Sequence, residues 1–172
     1  MMFVHNVGHL IYAWVSGAAV SYWPFHPLDV FTCPRLSHNP SPLLVLWGGP
    51  IWGCALPLLL LWLVRAVAPS QRYLALFFAG FCLVANGCHL AAGALYPFGD
   101  AGRLLRLGVP EWALLLFGMP IILAGLGLFH GLGPRFGLGL ARGRVDGRAA
   151  WILFAATIVA ATTALLLAAR WS

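Results

Sequence analysis

Two histidines near the start of the chain have the spacing of a metal site. His5 and His9 lie four residues apart in the stretch HNVGH, so in an α-helix both imidazoles project from one face, one turn apart. This arrangement can offer two nitrogens to one ion at about 2.0–2.1 Å. Alternatively, each histidine only hydrogen-bonds a neighbour. Because polar side chains inside an apolar, lipid-embedded helix are usually functional, we predict a shared metal.

The residue after His5 decides what such a metal could do. In the zinc-hydrolase motif H-E-x-x-H, the second residue is a glutamate that transfers protons to and from bound water. Here this position is Asn6, whose neutral amide cannot accept a proton from water. Loss of a general base typically lowers a rate by about 10²–10⁴-fold. The sequence therefore predicts a metal site that lacks its catalytic base.

The third ligand that a tetrahedral zinc site needs is best supplied by Asp100. It follows Pro97, which ends a helix, and precedes Gly102, which permits a tight turn. An aspartate at such a break can point back into a helix bundle. The alternative is an ion pair with Arg103 or Arg106 at the membrane surface.

Two polar residues in the apolar run 73–96 could support the same site. Asn86 and His89 lie three residues apart on one helix face. They could hydrogen-bond a metal ligand and orient it. They could equally form a hydrogen bond between packed helices.

Composition places the chain in a membrane. Hydrophobic residues make up 62% of the 172 residues and charged residues only 8%, whereas soluble domains carry about 25% charged residues. The net charge of +6 is typical of loops that face anionic lipid. No basic face interleaved with aromatic residues is visible, so we expect membrane lipid and no nucleic acid as a partner.

Four apolar runs are long enough for the roughly 20 residues that a membrane helix needs. They are 43–67, 73–96, 111–132 and 150–169, and the opening segment, 2–17, is apolar but short. After Gly17 we predict a strand-like stretch and an irregular loop up to Pro42. The sequence thus predicts one all-α polytopic membrane domain over 1–172, with about five membrane helices.

The ordered set of motifs resembles the site-2 protease (M50) family of intramembrane zinc metalloproteases. Residues 5–9 resemble that family's H-E-x-G-H, and Gly48-Gly49-Pro50 resembles its A-G-P element. Residues 97–103 are similar to its P-x-x-D-G-G-R-L motif, with Ala101 in place of the first glycine after the aspartate. The resemblance covers about residues 3–107.

The resemblance implies an integral protein of a bacterial cytoplasmic membrane that binds zinc through His5, His9 and Asp100. Such proteins cleave membrane-embedded peptides, but with Asn6 at the position of the glutamate we expect an inactive form. An alternative is a non-catalytic subunit, or pseudoprotease, that stabilises a larger membrane complex. A third hypothesis is a carrier of metal or haem.

Overall fold

The computed structural model describes residues 1–22 and 35–171. These ranges contain six α-helices and two short strands. In chain order they are α1 (Met2–Val15), β1 (Ala19–Tyr22), β2 (Arg35–His38), α2 (Pro42–Val67), α3 (Arg72–Leu95), α4 (Gly99–Arg106), α5 (Glu111–Phe129) and α6 (Gly147–Trp171). The structure is thus largely helical, as the sequence predicts.

Three of the predicted membrane helices are long and apolar enough to cross a bilayer. They are α2, the segment Pro69–Leu95 that contains α3, and α5. Helix α1 has 14 residues, fewer than the roughly 20 that a spanning helix needs. Helix α6 has 25 residues, and its stretch Gly147–Thr163 is apolar. Among the described residues, length and composition therefore support three of the predicted spans.

The segment between α1 and α2 holds one strand that the sequence predicts and one that it does not. Gly17, with a φ of 72°, turns the chain out of α1 into β1. The expectation of an irregular loop up to Pro42 is wrong for β2, which pairs antiparallel with β1. With only four residues, RLSH, β2 is too short to show an alternating pattern. The predicted loop over 23–34 lies outside the described residues.

Helices α1 and α2 cross in direct backbone contact. A Cβ atom on Gly8 would collide with the carbonyl oxygen of Gly48, and one on Gly48 would lie 2.7 Å from the carbonyl oxygen of Gly8. Glycine pairs of this kind let two helix backbones approach closely. The crossing brings the histidine-bearing face of α1 against the first half of α2.

Helices α3 and α5 pack antiparallel through two further glycine pairs. A Cβ atom on Gly87 would lie 2.7 Å from the Gly118 carbonyl oxygen, and one on Gly125 would lie 2.8 Å from that of Gly80. A buried apolar cluster then joins α4 to this pair and to α2. Its buried members are Leu46, Leu90, Ala94, Ala101, Leu104 and Leu114.

Candidate metal centre

Three buried side chains from α1 and α4 meet at one point. The Nε2 atoms of His5 and His9 are 3.1 Å apart. Oδ2 of Asp100 lies 2.8 Å from His5 Nε2 and 3.1 Å from His9 Nε2. The three ligand atoms form a group that could hold a metal ion, so the structure brings together the three residues singled out in the sequence.

Asp100 reaches the histidines because the chain folds back after α3. Tyr96 and Phe98 are extended, and Gly99, with a φ of 54°, starts α4. A Cβ atom on Gly93 would collide with the side chain of Ala101, so this glycine lets α4 lie close against α3. The sequence predicts only a turn here. Eight residues are too few to show a clear helical period of hydrophobic residues, so the sequence does not predict α4.

Asn86 sets which nitrogen of His5 is free. Its Nδ2 donates to the carbonyl oxygen of Cys82 at 2.8 Å. Because a carbonyl can only accept, Oδ1 is the atom that faces His5 Nδ1, at 2.7 Å. Nδ1 of His5 therefore carries the proton, and the lone pair of Nε2 is left for a metal.

His9 is oriented in the same way by the backbone of α2. Its Nδ1 lies 2.7 Å from the carbonyl oxygen of Val45, which can only accept, so Nδ1 donates. Nε2 of His9 then also presents a lone pair. Both imidazoles thus have the tautomer that metal-bound histidines have when the other nitrogen donates to a fixed acceptor.

Three hydrogen-bond acceptors, the Nε2 atoms of His5 and His9 and Oδ2 of Asp100, therefore face the same point. Two neutral imidazole nitrogens and one carboxylate oxygen within about 3 Å repel one another unless a proton or a metal ion lies between them. An ionised Asp100 carboxylate that faces two imidazole lone pairs attracts a cation to this point.

Gly49 in α2 provides the space for an ion. A Cβ atom on Gly49 would lie 2.5 Å from Nε2 of His5 and would also collide with Nε2 of His9. Zinc binds imidazole nitrogen at about 2.0–2.1 Å. The space left by the missing side chain of Gly49 therefore adjoins the position that an ion bound to both Nε2 atoms would occupy. The residues present therefore fit a metal ion.

The other predicted residues surround this centre. Asn6 is buried in α1, with 4% of its surface exposed. Nε2 of His89 lies 3.7 Å from Oδ2 of Asp100, and the His89 side chain is 18% exposed. Arg103 and Arg106 are exposed, whereas Asp100 is buried against the histidines. This favours the ligand hypothesis over the surface ion pair.

Sequence reasoning missed two contributions to the centre. The carbonyl of Val45 is a backbone group, so the residue type at position 45 gives no indication of its role. Gly49 contributes by having no side chain, whereas the sequence indicates for Gly48-Gly49-Pro50 only a resemblance to the A-G-P element. Gly49 follows Val45 by one helical turn, which weakly indicates that the two residues face the same neighbouring helix.

No protein-family model, curated protein or solved structure matches the chain. The resemblance to the site-2 protease family therefore rests on the motifs and stays a hypothesis.

Proposed function

We propose that the protein is a membrane-embedded metalloprotein that holds one zinc ion through His5, His9 and Asp100. One observation carries the proposal. Three ligand atoms converge beside Gly49, and the N–H groups of both imidazoles are committed to other acceptors. With both Nδ1 atoms donating elsewhere, the converging atoms need a cation between them, and a metal ion supplies it.

The donor set favours zinc over Mg²⁺ and Ca²⁺. Two imidazoles and one carboxylate are the ligands of many catalytic zinc sites, whereas Mg²⁺ and Ca²⁺ prefer oxygen ligands throughout. A zinc ion here would act as a Lewis acid that polarises a bound water or carbonyl. The protein holds the ligands in the correct tautomers and keeps the site buried.

The membrane location is part of the proposal. Helices α2, α3 and α5 are apolar enough to span a bilayer, and their glycine-mediated contacts are typical of membrane helix packing. From the resemblance of the motifs to the site-2 protease family, we also infer that the membrane is a bacterial cytoplasmic membrane. The same resemblance indicates a membrane-embedded peptide as the molecule that would bind at the centre.

We expect the protein, as its sequence stands, to bind metal without hydrolysing peptides. Asn6 occupies the position of the proton-transferring glutamate, and an amide cannot take a proton from bound water. The protein then acts as a pseudoprotease, which binds rather than cuts.

Metal analysis of the purified protein tests the proposal. We expect about one zinc per chain, because the site has one set of ligands. His5→Ala, His9→Ala and Asp100→Ala should each lose most of the zinc. His130→Ala, which alters an exposed histidine just after α5, is the matched control and should keep it. Full zinc in all three ligand variants would refute the proposed centre.

Restoring the missing carboxylate tests the absence of hydrolysis. Where the zinc keeps one position open for water, Asn6→Glu should cleave fluorogenic membrane-spanning peptides at least about 10²-fold faster than the chain as it stands. Equal cleavage by both forms of such an open centre would show that position 6 is not the site of the general base.

A further inference from the structure

His89 is a third imidazole that faces the carboxylate of Asp100. It comes from α3, and its ring centroid lies 5.8 Å from that of His5, with the ring planes at 81°. The side chains of His5 and Asp100 are only 4% and 1% exposed, against 18% for His89. His89 therefore stands on the open side of the centre, where a fourth ligand would approach.

The spacing is close to that of two ligands on one ion. Ligand atoms at about 2.0–2.1 Å from a tetrahedral zinc are about 3.3 Å apart. Nε2 of His89 is 3.7 Å from Oδ2 of Asp100, a few tenths of an ångström more. His89 is outside the group of three whose ligand atoms all lie within 4.8 Å of one another. A turn of its imidazole about the side-chain bonds must therefore bring a nitrogen onto the ion.

The ring of His89 lies against the start of α4. A Cβ atom on Gly99 would lie 2.6 Å from Cε1 of His89, so the ring takes the space that a side chain at position 99 would fill. The ring of Phe98 meets it edge-on at a centroid distance of 5.4 Å. Gly99 and Phe98 thus hold the imidazole beside the carboxylate of Asp100.

We propose that His89 binds the metal as a fourth ligand and closes the centre. The inference rests on the proposed function, since it needs the ion held by His5, His9 and Asp100. Zinc sites with four protein ligands are structural, whereas catalytic sites keep one position open for water. A centre of three histidines and one aspartate would have no water to activate, and this accounts for Asn6 at the position of the base.

Cobalt substitution tests whether the fourth position is filled. The full-length protein in detergent is loaded with Co²⁺, and its visible absorption is followed while azide is added. We expect no change with azide for the unmodified protein, because four protein ligands leave no site for the anion. His89→Ala should bind Co²⁺ about 10-fold more weakly or worse and show a spectral shift with azide. His130→Ala should behave as the unmodified protein.

The outcomes separate this inference from the proposed function. If azide shifts the spectra of the unmodified protein and of His89→Ala alike, His89 is not a ligand, while the three-residue centre stands. If the unmodified protein binds no Co²⁺, the proposed function itself fails. X-ray absorption of the zinc-loaded unmodified protein needs no variant. Three imidazoles around zinc are expected, and two imidazoles with a bound water would overturn the inference.

Discussion

At the scale of single residues, the chemistry of the centre depends on which imidazole nitrogens carry protons. Asn86 and the Val45 carbonyl accept hydrogen bonds from Nδ1 of His5 and His9, so both Nε2 lone pairs point at the same spot. The carboxylate of Asp100 completes the set. Partners that fix a ligand's tautomer and angle influence metal affinity strongly, although they never touch the metal.

Asn86→Ala should weaken zinc binding without removing a ligand. The substitution deletes the acceptor for His5 Nδ1 and the donor to the Cys82 carbonyl. We expect a zinc affinity about 10–100-fold lower and a loss of about 1–3 kcal/mol in stability from the unpaired buried groups. A chelator-competition titration measures the affinity. Asn39→Ala, whose side chain only accepts from the Ser41 amide, is the control. Equal zinc affinity for both variants would contradict this role for Asn86.

The sequence predicts the residues of the centre better than it predicts their surroundings. His5 and His9 are recognisable because their spacing matches a helical turn, and Asp100 because it is an isolated acid at a helix break. The backbone carbonyl of Val45 and the missing side chain of Gly49 have no comparable chemical signature. Their contribution follows only from three-dimensional contacts.

At the scale of elements, the crossing of α1 and α2 positions the histidines. Gly8 lies between His5 and His9 in sequence, and a Cβ atom there would meet the backbone of Gly48 and the Cβ atom of Trp52, neither of which is the movable end of a side chain. The same crossing places Val45 and Gly49 against the imidazoles. The same crossing therefore both packs α1 against α2 and positions the two histidines.

Gly8→Leu should separate α1 from α2 and remove the metal. Because the colliding atoms belong to the backbone, the helices must move apart, at a cost of about 1–3 kcal/mol or more. We expect a lower Tm in detergent together with loss of zinc. Gly127→Leu, at a glycine with nothing within 4 Å of the added Cβ, should keep both. An unchanged Tm and full zinc for Gly8→Leu would contradict the tight crossing.

Long apolar runs predict helices well, whereas two of the short elements, α4 and β2, are not predicted. The runs at 43–67 and 73–96 correspond to α2 and α3 within one residue at each end. Helix α4 and strand β2 have eight and four residues, so neither is long enough to show a periodic pattern of hydrophobic residues. Both form because tertiary contacts hold them, as the burial of Ala101 and Leu104 shows for α4.

At the scale of the whole molecule, the centre is built from one part of the chain. Its residues come from α1, α2, α3 and α4, while α5 packs on the other face of α3. Among the described side chains of α6, all but Ala149 and Ala161 are exposed. Helix α6 therefore contributes little to the fold that holds the ligands.

Removal of residues 147–172 should leave the metal centre intact. We expect the shortened protein to stay in the membrane pellet after a carbonate wash, because α2, α3 and α5 remain. It should also bind as much zinc per chain as the full-length protein. Loss of zinc from a shortened protein that still inserts into the membrane would show that α6 supports the centre.

The zinc content of Gly49→Ala tests the central claim most directly. This variant keeps every ligand and puts a methyl group into the space beside both Nε2 atoms. The colliding imidazoles are the ends of side chains that can turn away, so the fold should persist with an unchanged elution volume and helical content. We predict that Gly49→Ala binds little or no zinc, whereas Gly127→Ala keeps about one ion per chain. Full zinc occupancy in Gly49→Ala would contradict a metal ion held by His5, His9 and Asp100 at this point.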